Sequence, residues 1–65
     1  MKLVIQIPAW DEEEHIAAAV RELPRRVPGF DMVEVLVIDD GSTDRTAQVA
    51  KEAGADHVLR LPVHQ

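Results

Sequence analysis

The distribution of apolar residues along the chain predicts three short strands. Residues 2–7 and 33–39 are almost wholly apolar and rich in branched side chains, as expected of parallel strands that are covered on both faces. Pro8 should end the first strand, because proline cannot donate to a ladder of hydrogen bonds. Residues 57–61 form a shorter segment of the same kind. The pattern therefore predicts three strands of one buried sheet.

The segment after the first strand has the spacing of a one-sided helix. Its branched residues recur every three or four positions over residues 12–23. Asp11 and Glu14 have the spacing of a capping box, with Asp11 as the cap. Pro24 should stop this helix, and residues 24–32 contain two prolines and a glycine. We therefore expect a helix followed by a loop at the end of the sheet remote from the strands' carboxyl ends.

A second helix is expected after the DGSTD sequence that follows the second strand. Ser42 or Thr43 should cap this helix, and Asp44 should complement the helix dipole in the first turn. Alanines at three-residue spacing would let the helix lie close to the sheet, and Gly54 should be its C′ residue. The order of elements is βαβαβ, which predicts an α/β fold with an open parallel sheet.

Composition narrows the class of protein. With 65 residues and no cysteine, the chain suits one small domain or part of a larger one, without disulfides or thiolate metal sites. We expect residues 1–65 to be a single partial domain. The net charge of −5 opposes binding to nucleic acid. No apolar stretch is long enough for a membrane span or a signal peptide, so a cytoplasmic location is the default expectation.

Both loops that follow the first two strands are acidic. They lie beyond the carboxyl ends of the strands, where ligands bind in open α/β sheets. Neither loop has the glycine pattern of a phosphate cradle. Carboxylates at this edge can accept hydrogen bonds from a base or a ribose, or bind a divalent metal. Trp10 could offer a ring face to a base or could be a core anchor. Asp39 and Asp40 are adjacent acids at the end of an apolar strand, where burial gains them nothing and their charges repel, so this pair favours a binding site.

Three blocks of the sequence resemble inverting family 2 glycosyltransferases. PAWDEE at residues 8–13 is similar to their PAYNEE opening, VLVIDDGSTDRT at residues 35–46 to their second strand and DDGSTD turn, and residues 53–62 to the run that follows. The resemblance covers essentially the whole chain, and the polyprenol-phosphate (dolichol-phosphate) mannosyl- or glucosyltransferases are the most similar subgroup. It implies the N-terminal, nucleotide-binding part of a GT-A fold, which is a Rossmann-like fold of nucleotide-diphospho-sugar transferases.

The resemblance also implies a set of nucleotide-binding residues. Pro8 and Trp10 would flank the base, Glu12 would lie in the same pocket, and Asp40 would accept a hydrogen bond from the base. Asp39 would serve the ribose or fix the loop. The chain departs from the family in having Trp10 where tyrosine is usual, and an aspartate in place of the usual asparagine after it.

Further expectations concern the complete enzyme. The metal-binding DxD and the catalytic base of the family are not in this sequence, so we expect no catalytic residue here and no transfer by these residues alone. The resemblance implies Mg²⁺ or Mn²⁺ as cofactor, a UDP- or GDP-sugar as donor, and an acceptor such as a polyprenyl phosphate. That acceptor would place the enzyme at the cytoplasmic face of a membrane.

The topology predicts an exposed sheet face. Two right-handed crossover helices can share one face, which would leave Leu3, Ile5, Val35 and Val37, or their alternates, uncovered. We therefore expect a homo-oligomer that packs through the sheet, or an ordered piece of a longer protein.

Three other interpretations are considered. A receiver-like or other small nucleotide- or Mg²⁺-binding module would suit the paired acids, but the third strand lacks a phosphorylatable aspartate. A nucleotidyltransferase would need a glycine-rich basic loop where PAWDEE stands. A self-associating fragment is compatible with the glycosyltransferase interpretation.

Overall fold

The computed structural model describes residues 1–62, which form an α/β unit with an open three-stranded sheet. The elements in chain order are β1 (Lys2–Ala9), α1 (Ile16–Arg21), β2 (Met32–Asp40), α2 (Thr46–Glu52) and β3 (His57–Leu61). β2 lies between β1 and β3 and is parallel to both. The predicted fold class and order of elements are confirmed.

Both helices pack on the same face of the sheet. Val35 and Val37 of β2 both point to this face, because alternate side chains of a strand lie on the same side, and both are fully buried. Ile16 and Val20 of α1 and Ala50 of α2 cover them. The small Ala50 lets α2 approach the sheet closely, as the alanine spacing predicted.

The opposite face of the sheet, which we call the open face, is uncovered within the described residues. Val4 and Leu59 lie on this face and are 40% and 51% exposed. Leu36 and Ile38 of the central strand lie on the same face, as register partners of Gln6 and Leu59, and are partly buried. The prediction that the strands are covered on both faces is therefore wrong for this part of the chain. The uncovered side chains are those that alternate along the strands with buried residues such as Val35, which is the second of the two sets that the topology prediction allowed.

Two element boundaries differ from the sequence prediction at the first loop. β1 continues through Pro8 to Ala9, because β1 lies at the edge of the described sheet and the missing N–H of a proline there need not face a neighbouring strand. α1 begins only at Ile16, after a turn in which the Glu12 carbonyl accepts hydrogen bonds from the amides of His15 and Ile16 at 2.9 and 2.8 Å. The capping box is not formed.

The end of α2 matches its prediction. Gly54 has φ 112°, which only glycine adopts easily, and its amide donates to Lys51 O at 3.1 Å. The amide of Ala55 donates to Ala50 O at 3.1 Å, which completes a Schellman motif. The chain then enters β3 at the predicted residue.

An ion pair fastens the end of the sheet remote from the strands' carboxyl ends. Asp56 Oδ2 accepts from the amide of Val35 at 2.7 Å and from Arg25 Nη1 at 2.8 Å. These two hydrogen bonds lower the pKa of Asp56, the backbone amide having the larger effect. The loop after α1 is thereby tied to the turn before β3.

Candidate functional site

The two acidic loops meet at the carboxyl ends of β1 and β2 and enclose a shallow pocket. Its volume is about 240 Å³, and it is lined by Pro8, Ala9, Trp10, Glu12 and Asp40. Pro8 is the register partner of Ile38, so the ends of both strands reach the same edge. The pocket therefore lies where ligands bind in open parallel sheets.

The structure brings together four of the five residues that the sequence singled out. Pro8, Trp10, Glu12 and Asp40 all line the pocket. Trp10 is 46% exposed, so it is not a core anchor. The ring of Trp10 can stack on a base, and the carboxylates of Glu12 and Asp40 can accept hydrogen bonds from a ligand.

Asp39 does not line this pocket, although it precedes Asp40 directly. It is fully buried on the helix-covered face, where its Oδ1 accepts hydrogen bonds from the amide of Ser42 at 3.1 Å and from the Ser42 hydroxyl. Strand alternation explains the split, since successive side chains point to opposite faces. Of the two roles suggested for Asp39, its contacts match fixing the loop.

Ser42 links the two loops to each other. Its hydroxyl accepts a hydrogen bond from the amide of Asp11 at 2.8 Å while donating to Asp39. In return, Asp11 Oδ1 accepts from the amide of Thr43 at 2.9 Å. Asp11 has φ 50°, a conformation that aspartate tolerates better than most residues. Ser42 and Thr43 thus hold the first loop, and the prediction that one of them caps α2 is wrong.

A second group of hydrogen bonds lies at the start of α2. Thr46 Oγ1 accepts from the amide of Glu12 at 2.8 Å, and Asp44 Oδ2 accepts from the amide of Glu13 at 3.2 Å. Asp44 Oδ1 accepts from the amide of Thr46 at 2.9 Å and from the Thr46 hydroxyl. The hydrogen bond from that hydroxyl is the main reason why the pKa of Asp44 is lowered.

We call the hydrogen bonds that join residues 11–13 to residues 42–46 the loop staple. Sequence reasoning missed it because it assigned each loop's acids and hydroxyls to its own helix. The available signal was that the acidic turn after β1 and the hydroxyl-containing turn after β2 follow neighbouring strands at the same end of the sheet. Within the loop staple the Asp11 carboxylate binds the second loop and the Ser42 hydroxyl binds the first, so neither of these two groups caps its own helix.

Arg60 connects β3 to the same turn. Its Nη2 donates to the carbonyl oxygen of Ser42 at 3.0 Å, and its Nε lies 3.7 Å from Asp39 Oδ2. Asp39 and Arg60 are register partners, so both project from the helix-covered face. The positive charge of Arg60 therefore compensates a carboxylate that is removed from water.

The acidic side chains near the pocket are the groups that could bind a metal ion. Among residues 1–62, no group of three or more histidine, aspartate or glutamate side chains is arranged to hold an ion. Glu12 and Asp40 are the two carboxylates that line the pocket, and Asp39 is engaged below it. The pocket therefore presents two carboxylates, and no third acidic or histidine side chain among the described residues joins them in a group that could hold an ion.

Comparison with known proteins identifies relatives of the chain. It is 36% identical over 53 residues to "Protein RfbJ" of Shigella flexneri, an alignment that spans 82% of this chain and 39% of that protein. It is 44% identical over 54 residues to 4,4'-diaponeurosporenoate glycosyltransferase of Staphylococcus aureus, spanning 82% of this chain and 13% of that protein. The chain thus covers well under half the length of either relative.

The family assignment rests on a wider match. The model of the family described as "Glycosyl transferase family 2" matches residues 4–64. The parallel βαβαβ arrangement fits the N-terminal part of a GT-A, Rossmann-like fold. The match covers both loops at the pocket, both helices, β2, β3 and all of β1 except its first two residues, so the chain belongs to glycosyl transferase family 2.

Proposed function

We propose that the pocket binds the nucleotide of a UDP- or GDP-sugar for an inverting glycosyltransferase. The observation that carries this proposal is the convergence of Pro8, Trp10, Glu12 and Asp40 on one pocket at the carboxyl ends of the strands. The base would stack against the ring of Trp10 and donate an N–H to Asp40. Glu12 would accept a hydrogen bond from the ribose.

The size of the pocket limits what it can hold. Its 240 Å³ is below the range of about 300–1,000 Å³ typical of ligand sites, so the base and part of the ribose would fill it. The diphosphate would project beyond the two loops, away from the carboxylates that would repel it. Binding of the sugar and the acceptor would therefore depend on residues other than those that line this pocket.

The chemistry of transfer is part of the same proposal. A base would activate the acceptor hydroxyl or phosphate for in-line displacement at the anomeric carbon, with a polyprenyl phosphate as the proposed acceptor. The complete enzyme would use Mg²⁺ or Mn²⁺ as its cofactor, and such an ion would supply positive charge near the departing diphosphate; among residues 1–62 no group of three or more acidic or histidine side chains is arranged to hold it. These residues would bind and orient the donor without catalysing transfer alone.

The cellular setting of the enzyme is likewise proposed. A polyprenyl phosphate acceptor would require an active site at the cytoplasmic face of a membrane. Neither helix within residues 1–62 has the length and apolar character needed to cross a bilayer.

Self-association is a second candidate property, and the open face favours it. Val4 and Leu59 are exposed there beside the partly buried Leu36 and Ile38. Burial of apolar surface contributes about 25 cal/mol per Å², so covering a few hundred Å² would contribute several kcal/mol, which is comparable with the whole stability of a small domain. We propose a homo-oligomer in which two open faces pack together.

Isothermal titration calorimetry with UDP and GDP tests the nucleotide proposal. Asp40→Ala removes the proposed acceptor of the base N–H and should weaken binding by about 1–3 kcal/mol. Asp31→Ala is the matched control, because Asp31 is an exposed aspartate near the start of β2, at the opposite end of the strand. Equal affinities of wild type and D40A for the nucleotide that binds would refute the assignment of Asp40.

A further inference from the structure

We propose that Arg60 is a positioning residue for the pocket, fixing the Ser42 turn from β3 and thereby the separation of Trp10 from Asp40. This inference rests on the proposed nucleotide site, whose geometry it explains. Arg60 lines no part of the pocket, and no contact with the nucleotide is assigned to it. Its effect would be transmitted through Asp39 and Ser42.

The first step of the argument is the state of Asp39. Its side chain is 1% exposed, and its Oδ2 has no hydrogen-bond partner among the described residues. A buried carboxylate oxygen that no hydrogen-bond donor contacts is destabilising unless a cation lies close to it. The guanidinium of Arg60 meets this need, with Nε 3.7 Å from that oxygen.

The second step is the geometry of the guanidinium. Arg60 also donates from Nη2 to Ser42 O at 3.0 Å, so one rigid planar group holds both the carboxylate and the turn that follows it. A lysine could place a charge near Asp39 but has no fork to bridge the two acceptors. The arrangement thus requires arginine, although the Arg60 side chain is 60% exposed.

The third step follows the contacts to the pocket. Ser42 Oγ accepts from the amide of Asp11 at 2.8 Å, and Asp11 is joined directly to Trp10. On the other side, Asp39 is joined directly to Asp40. The two pocket walls are therefore the covalent neighbours of the two residues that Ser42 holds together, and Arg60 anchors Ser42 from the third strand.

The single tryptophan of the chain allows a direct test, since tyrosine is absent and Trp10 lies in the pocket. In the full chain, Arg60→Gln should increase acrylamide quenching of Trp10 fluorescence at a temperature where far-UV circular dichroism shows an intact fold. It should also weaken UDP or GDP binding by about three- to tenfold, the range expected of a residue that acts without touching the ligand. Arg60→Lys should give an intermediate result. Arg26→Gln, an exposed arginine in the loop at the other end of the strands, should match wild type.

A folded R60Q protein with wild-type quenching and wild-type nucleotide affinity would overturn the proposal. If R60Q does not fold, R60K decides: greater quenching than in R26Q supports the positioning role, and equal quenching refutes it. If wild type binds neither UDP nor GDP, the proposed function fails, and the quenching comparison alone then decides the role of Arg60.

Discussion

Replacement of Ser42 by alanine is the sharpest test of the loop staple. Ser42 is 3% exposed, and its hydroxyl both donates to Asp39 and accepts from the amide of Asp11 at 2.8 Å. The S42A change deletes both hydrogen bonds with one atom. It also leaves the Asp11 amide without its acceptor and removes a donor from a buried carboxylate.

The expected loss can be worked out from these two contacts. The Asp11 amide is only partly buried, so leaving it without its acceptor costs less than the about 1–3 kcal/mol of a fully buried amide, whereas a hydrogen bond to a charged group contributes about 1.5–3 kcal/mol. The two effects share one site and are not additive, so we expect S42A to lower the free energy of unfolding by about 2–4 kcal/mol. A domain of 65 residues has about 3–10 kcal/mol in total. The change should therefore remove a large share of the stability.

Urea denaturation of the full chain, followed by Trp10 fluorescence and by circular dichroism, measures this loss. Thr43→Ala is the matched control, because Thr43 is exposed and contributes its backbone amide, but no side-chain hydrogen bond, to the loop staple. The T43A protein should unfold within about 0.5 kcal/mol of wild type. Equal denaturation midpoints for S42A and T43A would show that the Ser42 hydroxyl does not hold the two loops together.

The remaining predictions concern pH and association. Hydrogen bonds lower the pKa values of Asp44 and Asp56 in the folded protein, so their contribution to stability is complete above the unfolded-state pKa of about 3.9 and is lost as the pH falls through the lowered folded values. The urea midpoint should fall as the pH is lowered from about 5 to about 2, and Asp56→Asn should make that fall smaller. A D56N profile parallel to that of wild type would contradict the reasoning. Leu59→Lys should weaken self-association by about tenfold or more in light scattering, because it places a charge on the open face, whereas Ala18→Lys on exposed helix surface should not. Identical association of L59K and wild type would refute packing through the open face.

The sequence predicted the elements of the fold better than it predicted their ends. The β3 residues and the C′ role of Gly54 were correct because they depend on local signals, a run of branched residues and a glycine after a helix. The first helix was placed four residues too early, since the capping-box spacing of Asp11 and Glu14 is a local signal that a tertiary contact overrides. The Asp11 amide, which Glu14 would have engaged, is bound by Ser42, and the Asp11 carboxylate accepts from the amide of Thr43 instead of capping its own helix.

The buried character of the strands was also predicted only in part. A run of branched residues indicates that a strand can be buried, but it does not say which face is covered within a given stretch of chain. Here α1 and α2 cover the face of Val35 and leave that of Leu59 exposed. Two sequential crossovers of one hand lead to this outcome, so topology decided what residue pattern could not.

The different positions of Asp39 and Asp40 follow from strand parity, and this sharpens what the shared acidic motif does. β2 continues through both residues, so one carboxylate must project toward the helices and the other toward the open face. Val35 and Val37 have the parity of Asp39, and all three are fully buried. Once Val35 is known to face the core, Asp40 is therefore the carboxylate on the side of the pocket, and Asp39 the one that faces the helices and lies beside Arg60. The pair of acids combines one group that supports the turn with one that lines the pocket, and mutual repulsion is limited because they project from opposite faces.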